Sequence, residues 1–188
     1  HSVCLPSKSH IHAAQIAYSV KTSSRFGIYT QPPTIKLEEA MGHVHEVIDT
    51  IQEHDSTERF EKLGVDVIYG KGQFIDDKTF EVNGQQLKSR AFLVATGSRP
   101  TVPPVEGLKE AGFLTNEEVF NVTNRPDALA VIGAGPIGCE LGQSFSRLGS
   151  KVTLLASRDV IMPKEDPEAA AVVQKQLESE GLEILTNT

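Results

Sequence analysis

The stretch Ala128-Leu-Ala-Val-Ile-Gly-Ala-Gly-Pro-Ile-Gly-Cys-Glu140 constrains this chain more than any other. Five mostly apolar residues run into Gly133-x-Gly135-x-x-Gly138, and a helical pattern follows. This is the strand, tight turn and helix start of a dinucleotide-binding unit. Gly133 allows the turn, Gly135 lets the backbone approach a pyrophosphate, and Gly138 lets helix and strand pack closely. Pro136 and Ile137 complete the loop. Phosphates bind at such a helix N-terminus because free N–H groups and the helix dipole favour negative charge there.

The unit reads onward as βαβαβ. A strand near 128–132 and a helix near 137–148 end at Gly149-Ser150, and Lys151–Ala156 is a second strand. Asp166-Pro167 opens a helix through Glu180 with proline in its first turn, Gly181 stops it, and Leu182–Leu185 is a third strand. Three parallel strands are half of a dinucleotide fold, so the domain is expected to be cut short. Upstream, Pro6 and Ser7 suit a helix start, with Ile11, Ala14, Ile16, Ala17 and Val20 on its apolar face. Leu37, Met41, Val44, Ile48 and Ile51 make one apolar stripe along a second helix, and Glu58–Leu63 a further helical segment. From Val65 the period changes. Val65–Gly70 reads as a strand, Gln73-Phe-Ile and Thr79–Val82 as a hairpin around Asp76-Asp77-Lys78, and Asn83-Gly84 as a hairpin turn. Ala91–Ala95 reads as a buried strand and Thr101–Gly107 as a linker.

The 188 residues are 39% hydrophobic and 23% charged, enough for a real core. The net charge is −7 with no dense basic run, which argues against nucleic-acid binding. Apolar runs fall far short of the ~20 residues that cross a bilayer, and no signal-peptide pattern is present. The first residue is His rather than Met, so the natural N-terminus is expected to be absent. Two cysteines make no disulfide framework, and Cys139, inside the glycine-loop helix, reads as a packing residue. His10 with His12, and His43 with His45, are two apart and point to different sides of a helix. They read as surface or partly packed residues, and no metal site is expected.

Three motifs stand in order: Cys4-Leu-Pro-Ser-Lys8, Ala95-Thr-Gly-Ser-Arg-Pro100 and Gly133-x-Gly-x-x-Gly-x-Glu140. With them the chain resembles the class I, FAD-dependent pyridine nucleotide–disulfide oxidoreductases over nearly its whole length. Arg147-Leu-Gly-Ser-Lys-Val-Thr-Leu-Leu-Ala156 and Glu165-Asp-Pro are nearest in wording to the mercuric reductase branch. The resemblance implies an α/β fold of the FAD/NAD(P)-binding, Rossmann-like type: an internal, truncated two-domain fragment with a β-meander. Residues 1–114 would be the C-terminal part of an FAD-binding domain and 115–188 the N-terminal half of an NAD(P)-binding domain. Cys4 matches the flavin-side member of a redox cysteine pair whose other member would lie two positions before His1. Lys8 matches a lysine near the flavin's reactive nitrogen, and Glu140 a glutamate that pairs with it beside the nicotinamide. Thr96, Gly97 and Ser98 match a turn against the flavin nucleotide, and Gly72 a backbone contact near the adenine. Independently of the family, thiolate is the working form of cysteine, and a lysine one turn away favours it.

An acid at the end of the second strand would bind the ribose hydroxyl of NAD, but this chain has Ala156, Ser157 and Arg158 there. NADP is therefore the expected partner, with Arg158 on the 2′-phosphate; Asp159 is the feature that favours NAD. The implied parent enzyme is a cytoplasmic homodimer, dimerising through a C-terminal domain, that passes electrons from NADPH through FAD to a cysteine pair. Its substrate would be a small-molecule disulfide or a thiol-bound metal ion, and the isolated fragment is expected to be inactive. The alternatives are an NAD-dependent, dihydrolipoamide dehydrogenase-like enzyme and a non-catalytic nucleotide-binding module. No second glycine fingerprint precedes Cys4 in this chain, and Pro136 stands where glutathione reductases carry an aromatic gate.

Overall fold

The computed structural model describes residues 4–188. In chain order its elements are α1 (Cys4–Lys21), α2 (Leu37–His54), α3 (Thr57–Lys62), β1 (Gly72–Phe74), β2 (Thr79–Val82), β3 (Gln85–Lys88), α4 (Leu108–Ala111), β4 (Ala128–Ile132), α5 (Pro136–Arg147), β5 (Lys151–Leu155), α6 (Pro167–Ser179) and β6 (Glu183–Leu185). They pack as two compact units. One combines the residues up to Asp49 with Val105–Thr188, and the other is Thr50–Pro104. The division at 114/115 expected from the sequence would separate two cofactors, whereas this one follows packing.

The first unit carries a parallel sheet in the order β4-β5-β6, with Ala128 opposite Lys151 and Thr153 opposite Glu183. Parallel neighbours need crossover connections, and α5 and α6 supply them. This is the α/β, Rossmann-like arrangement that the glycine motif and the changes of period predict. In the central strand Val152 and Leu154 are fully buried. The turn residues end the helices where expected, and Asp166 caps α6 by accepting the Ala169 N–H at 3.0 Å, with Pro167 in the first turn. Leu37, Met41 and Val44 of α2 are buried in the same core, with Ile48 packed against it. Cys139 is buried as expected, and burial pushes its thiol pKa up.

Helix α1 turns inward only part of the face its apolar residues mark: Ala14 and Ala17 are buried, and Ile11 and Val20 are half-buried. Pro6, Ser7, His10, Ala14 and Ala17 are buried, while Ile16 is half exposed. Small residues let two helices approach closely, so Ser7, Ala14 and Ala17 go to the core while Ile16 stays outside it. His10 goes with them, which corrects the reading of this residue as surface or partly packed. Its ring lies 4.9 Å from Phe145 and 6.2 Å from Phe120, and neither ring nitrogen has a hydrogen-bond partner among the described residues.

Burial lowers the His10 pKa from 6.5 to about 4. The unfolded chain therefore binds a proton between those values that the folded chain does not. The stability due to neutral His10 is complete above pH 6.5 and is lost as pH falls toward 4, at about 1.4 kcal/mol per unit. Thermal melts at pH 7 and pH 5 should show the unsubstituted chain losing more than H10L. Equal losses would assign the acid sensitivity elsewhere.

The second unit holds α3 and an antiparallel meander in the order β1-β2-β3. Asn83 (φ 51°) and Gly84 (φ 77°) both adopt the left-handed backbone that a two-residue hairpin turn demands. Asp76 accepts the Lys78 N–H at 2.8 Å and shapes the other turn. Phe74 stacks edge-on against Phe80 and Phe92, at 5.0 and 5.1 Å. Two expected strands do not form: residues 65–70 and 91–95 are irregular, and Leu93 is 93% exposed. An apolar run becomes a strand only when neighbours satisfy its backbone, and no described strand pairs with either segment.

Candidate functional site

The glycine turn is built by the close meeting of β4, α5 and β5. Gly133 has φ +108°, and its N–H donates to the Leu155 carbonyl at 2.9 Å, tying the turn to the end of β5. Gly138 faces back onto this turn. A Cβ there would lie 2.0 Å from the Gly133 carbonyl oxygen. Gly135, the N-cap of α5, has open space where a Cβ would be. Pro136 follows as the first helical residue, where its missing N–H costs nothing.

A cleft of about 340 Å³ opens beside this helix start. Gly133, Ala134, Gly135 and Pro136 form one side, and Ala156, Ser157 and Arg158, just after β5, form another. Six of the expected cofactor residues therefore meet at one place. Ile137 and Gly138 lie in the first turn of α5 but do not line the cleft, Ile137 facing solvent and Gly138 facing Gly133. The remaining wall is Val160 and Met162–Glu165. Sequence reasoning missed that wall because spacing alone does not show the loop after β5 folding back. Its available signal was the apolar run Val160-Ile-Met-Pro163 in that loop, of which Ile161 is fully buried.

The second cluster joins α1 to α5. The Lys8 Nζ donates to both carboxylate oxygens of Glu140, at 2.9 and 3.0 Å. Their side chains are 64% and 45% exposed, so the pair adds little stability. It brings the ammonium group of α1 against the carboxylate of α5. Cys4 is exposed and one helical turn before Lys8, a spacing that puts both on one face of α1. Glu140 is thus on the helix that starts at the cleft, and its partner is on the cysteine helix.

Gly72, Thr96, Gly97 and Ser98 belong to the second unit. Gly72 opens β1, and a Cβ there would meet the Phe80 ring at 2.2 Å, so the ring packs where a side chain would otherwise stand. Thr96–Ser98 is an exposed irregular segment in which Gly97 has φ +67°. Among the described residues, no group of three or more His, Cys, Asp or Glu side chains could hold a metal ion. No described helix is long and apolar enough to cross a membrane.

A family model described as pyridine nucleotide-disulphide oxidoreductase matches residues 2–188. The chain is 34% identical to a mercuric reductase of Staphylococcus aureus over 97% of its own length and 34% of that protein's. It is 33% identical to a dihydrolipoyl dehydrogenase of Acholeplasma laidlawii, over 97% and 56% of the two lengths. Among solved structures, it is similar to the HOCl-induced flavoprotein disulfide reductase RclA from Escherichia coli, with a TM-score of 0.74, 26% identity, and coverage of 100% of this chain and 40% of that one. LpdA from Mycobacterium tuberculosis is similar with a TM-score of 0.77 and 27% identity, covering 98% and 41%. The chain spans about a third of the length of the mercuric reductases of Staphylococcus aureus and Lysinibacillus sphaericus, 34% and 33%.

Proposed function

The chain belongs to the pyridine nucleotide-disulphide oxidoreductase family, and we propose that it holds the NADPH-binding turn and the flavin-side redox thiol of a mercuric reductase-like enzyme. The observation that carries this reading is the Lys8–Glu140 pair, which links the cysteine helix to the helix that begins at the cleft. The cleft fits a dinucleotide: Gly135 leaves its floor open to an approaching phosphate, and the N-terminus of α5 borders it.

When bound, the nicotinamide supplies a hydride and FAD relays the electrons. The chain's own residues position and receive. Glu140 holds the Lys8 ammonium in place, and Lys8 presents positive charge on the face that carries the Cys4 thiol. On this reading Gly72 and Thr96–Ser98 contact the flavin nucleotide, residues 1–114 serve FAD, and residues 115–188 serve the nicotinamide nucleotide. The whole protein would work as a cytoplasmic homodimer on a small-molecule disulfide or a thiol-bound ion such as Hg²⁺. Similarity to mercuric reductases at 31–34% identity supports that substrate class.

The preference for NADPH rests on Arg158 directly after β5, with no acid at Ala156 or Ser157, while Lys164 and Glu165 on the facing wall offset each other. A charge-assisted hydrogen bond contributes about 1.5–3 kcal/mol, so R158A should weaken NADPH binding about tenfold or more. NADH binding should change by less than about twofold, since it lacks the phosphate. Titration of the chain with both nucleotides checks this. Tighter binding of NADH would favour the second reading, an NAD-dependent dihydrolipoyl dehydrogenase-like enzyme, which the 33% identity to the Acholeplasma protein supports.

A further inference from the structure

Three described residues other than glycine have a left-handed backbone: Asn83, Asn187 and Met162. Asparagine adopts that conformation readily, whereas methionine does not. Met162 (φ 45°) is therefore held there by its surroundings, and the surroundings are specific. The Met162 N–H donates to the Ala134 carbonyl at 2.8 Å, in the middle of the glycine turn. Its carbonyl accepts the Glu165 N–H at 3.0 Å. The preceding side chain, Ile161, is fully buried, so the peptide cannot swing outward to relax. At the near end of the same loop, the Asn187 N–H donates to the Arg158 carbonyl at 3.0 Å. The loop after β5 is thus pinned at Arg158 and again at Met162, and the second pin lands on the turn across the cleft.

We infer that Met162 is a positioning residue whose left-handed backbone clasps the loop after β5 onto the glycine turn, setting the width of the cleft and holding Arg158 and Lys164 along its wall. This rests on the nucleotide reading of the cleft. The clasp works through backbone conformation and one N–H, not through the methionine side chain. Strain of this kind persists only where neighbouring structure over-determines it, and it collects at ligand-binding sites.

The test separates conformation from side chain. Isoleucine is close to methionine in size but, being β-branched, strongly disfavours φ near 45°. Asparagine and glycine lose the side chain but accept the conformation. The Kd for NADPH should rise about fivefold or more in M162I and stay within about twofold in M162N and M162G. Exchange of the residue-162 amide hydrogen should remain slow in M162N and quicken in M162I, and this readout does not depend on nucleotide. If M162I binds normally while M162N and M162G lose NADPH, the side chain is the determinant and the clasp is overturned. If M162I does not fold, the other two variants decide alone: loss of binding in both overturns the clasp, and retention supports it. Failure of the unsubstituted chain to bind NADPH would instead overturn the nucleotide reading, whatever the exchange rates.

Discussion

Replacing Gly138 with alanine should separate α5 from β4 and cost the chain both stability and the cleft at the start of α5. The added Cβ would sit 2.0 Å from the Gly133 carbonyl oxygen and 3.2 Å from its carbon. Both are backbone atoms of a turn already committed to φ +108° and to its hydrogen bond with Leu155. No flexible side-chain end is available to yield, so the helix must move by more than an ångström. The loss should be about 1–3 kcal/mol in urea or thermal unfolding, as for other overpacked sites, and greater for G138V. On the nucleotide reading, NADPH binding falls with it, because the N-terminus of α5 leaves the cleft. Gly142, one turn further on, is the control. A Cβ there meets Val152 Cγ1 at 3.5 Å and Leu182 Cδ2 at 3.7 Å, ordinary contacts. G142A should be neutral or stabilising by up to about 1 kcal/mol, since alanine is the better helix former. Equal losses in G138A and G142A would show that the close approach at Gly138 is not what requires glycine.

The same contrast explains what could be read from the chain. Local signals placed the β4-α5-β5-α6-β6 run almost to the residue, because glycine turns, capping Asp166 and apolar period agree there. Asn83-Gly84 was legible because its turn chemistry is a property of two residues. Ala91–Ala95 misled because a buried strand is a property of its neighbours, and an apolar run reads the same with or without them. His10 misled for a related reason. Ala14 and Ala17 lie on the face the apolar pattern marks, and the buried strip extends from them through His10 to Ser7, which that pattern does not include. The cleft was half legible. Arg158 follows β5 directly, while Met162 and Lys164 reach it only because Ile161 folds the loop back into the core.

Truncating Glu180 should destabilise the chain and loosen the packing of α1 on α5. Its side chain is 3% exposed, and Arg147 against it is 11% exposed. Arg147 grips it twice, Nε to Oε2 at 2.6 Å and Nη2 to Oε1 at 2.8 Å, while Gln143 and Gln176 donate at 3.0 and 2.7 Å. Burial alone would raise the Glu180 pKa, but the Arg147 hydrogen bonds and charge, with the Gln176 and Gln143 donors, bring it below the usual 4.5. Stability from this carboxylate is therefore complete above pH 4.5 and is lost as pH falls through its lower folded value. E180A leaves the partly buried arginine without its counter-charge, so the cost should be about 1–3 kcal/mol in chemical denaturation. Removing both charges, as R147M with E180M, should recover most of that loss. A double variant as unstable as E180A would show that packing, not the unpaired charge, is responsible. The consequence reaches the face of α1 that carries Cys4 and Lys8. Arg147 Nη1 also donates to Gln15 at 2.7 Å and lies over Tyr18, so the anchor holds α1. Gln15 pairs with Arg147 and Lys8 with Glu140, each contact seven residues, or two helical turns, from the other on both helices. The buried anchor thus sets the register in which the exposed Lys8–Glu140 pair can form. Loosening it in E180A should leave Lys8 unpaired for more of the time, measurable as a weaker Lys8–Glu140 coupling in double-mutant cycles built on E180A than in the unsubstituted chain.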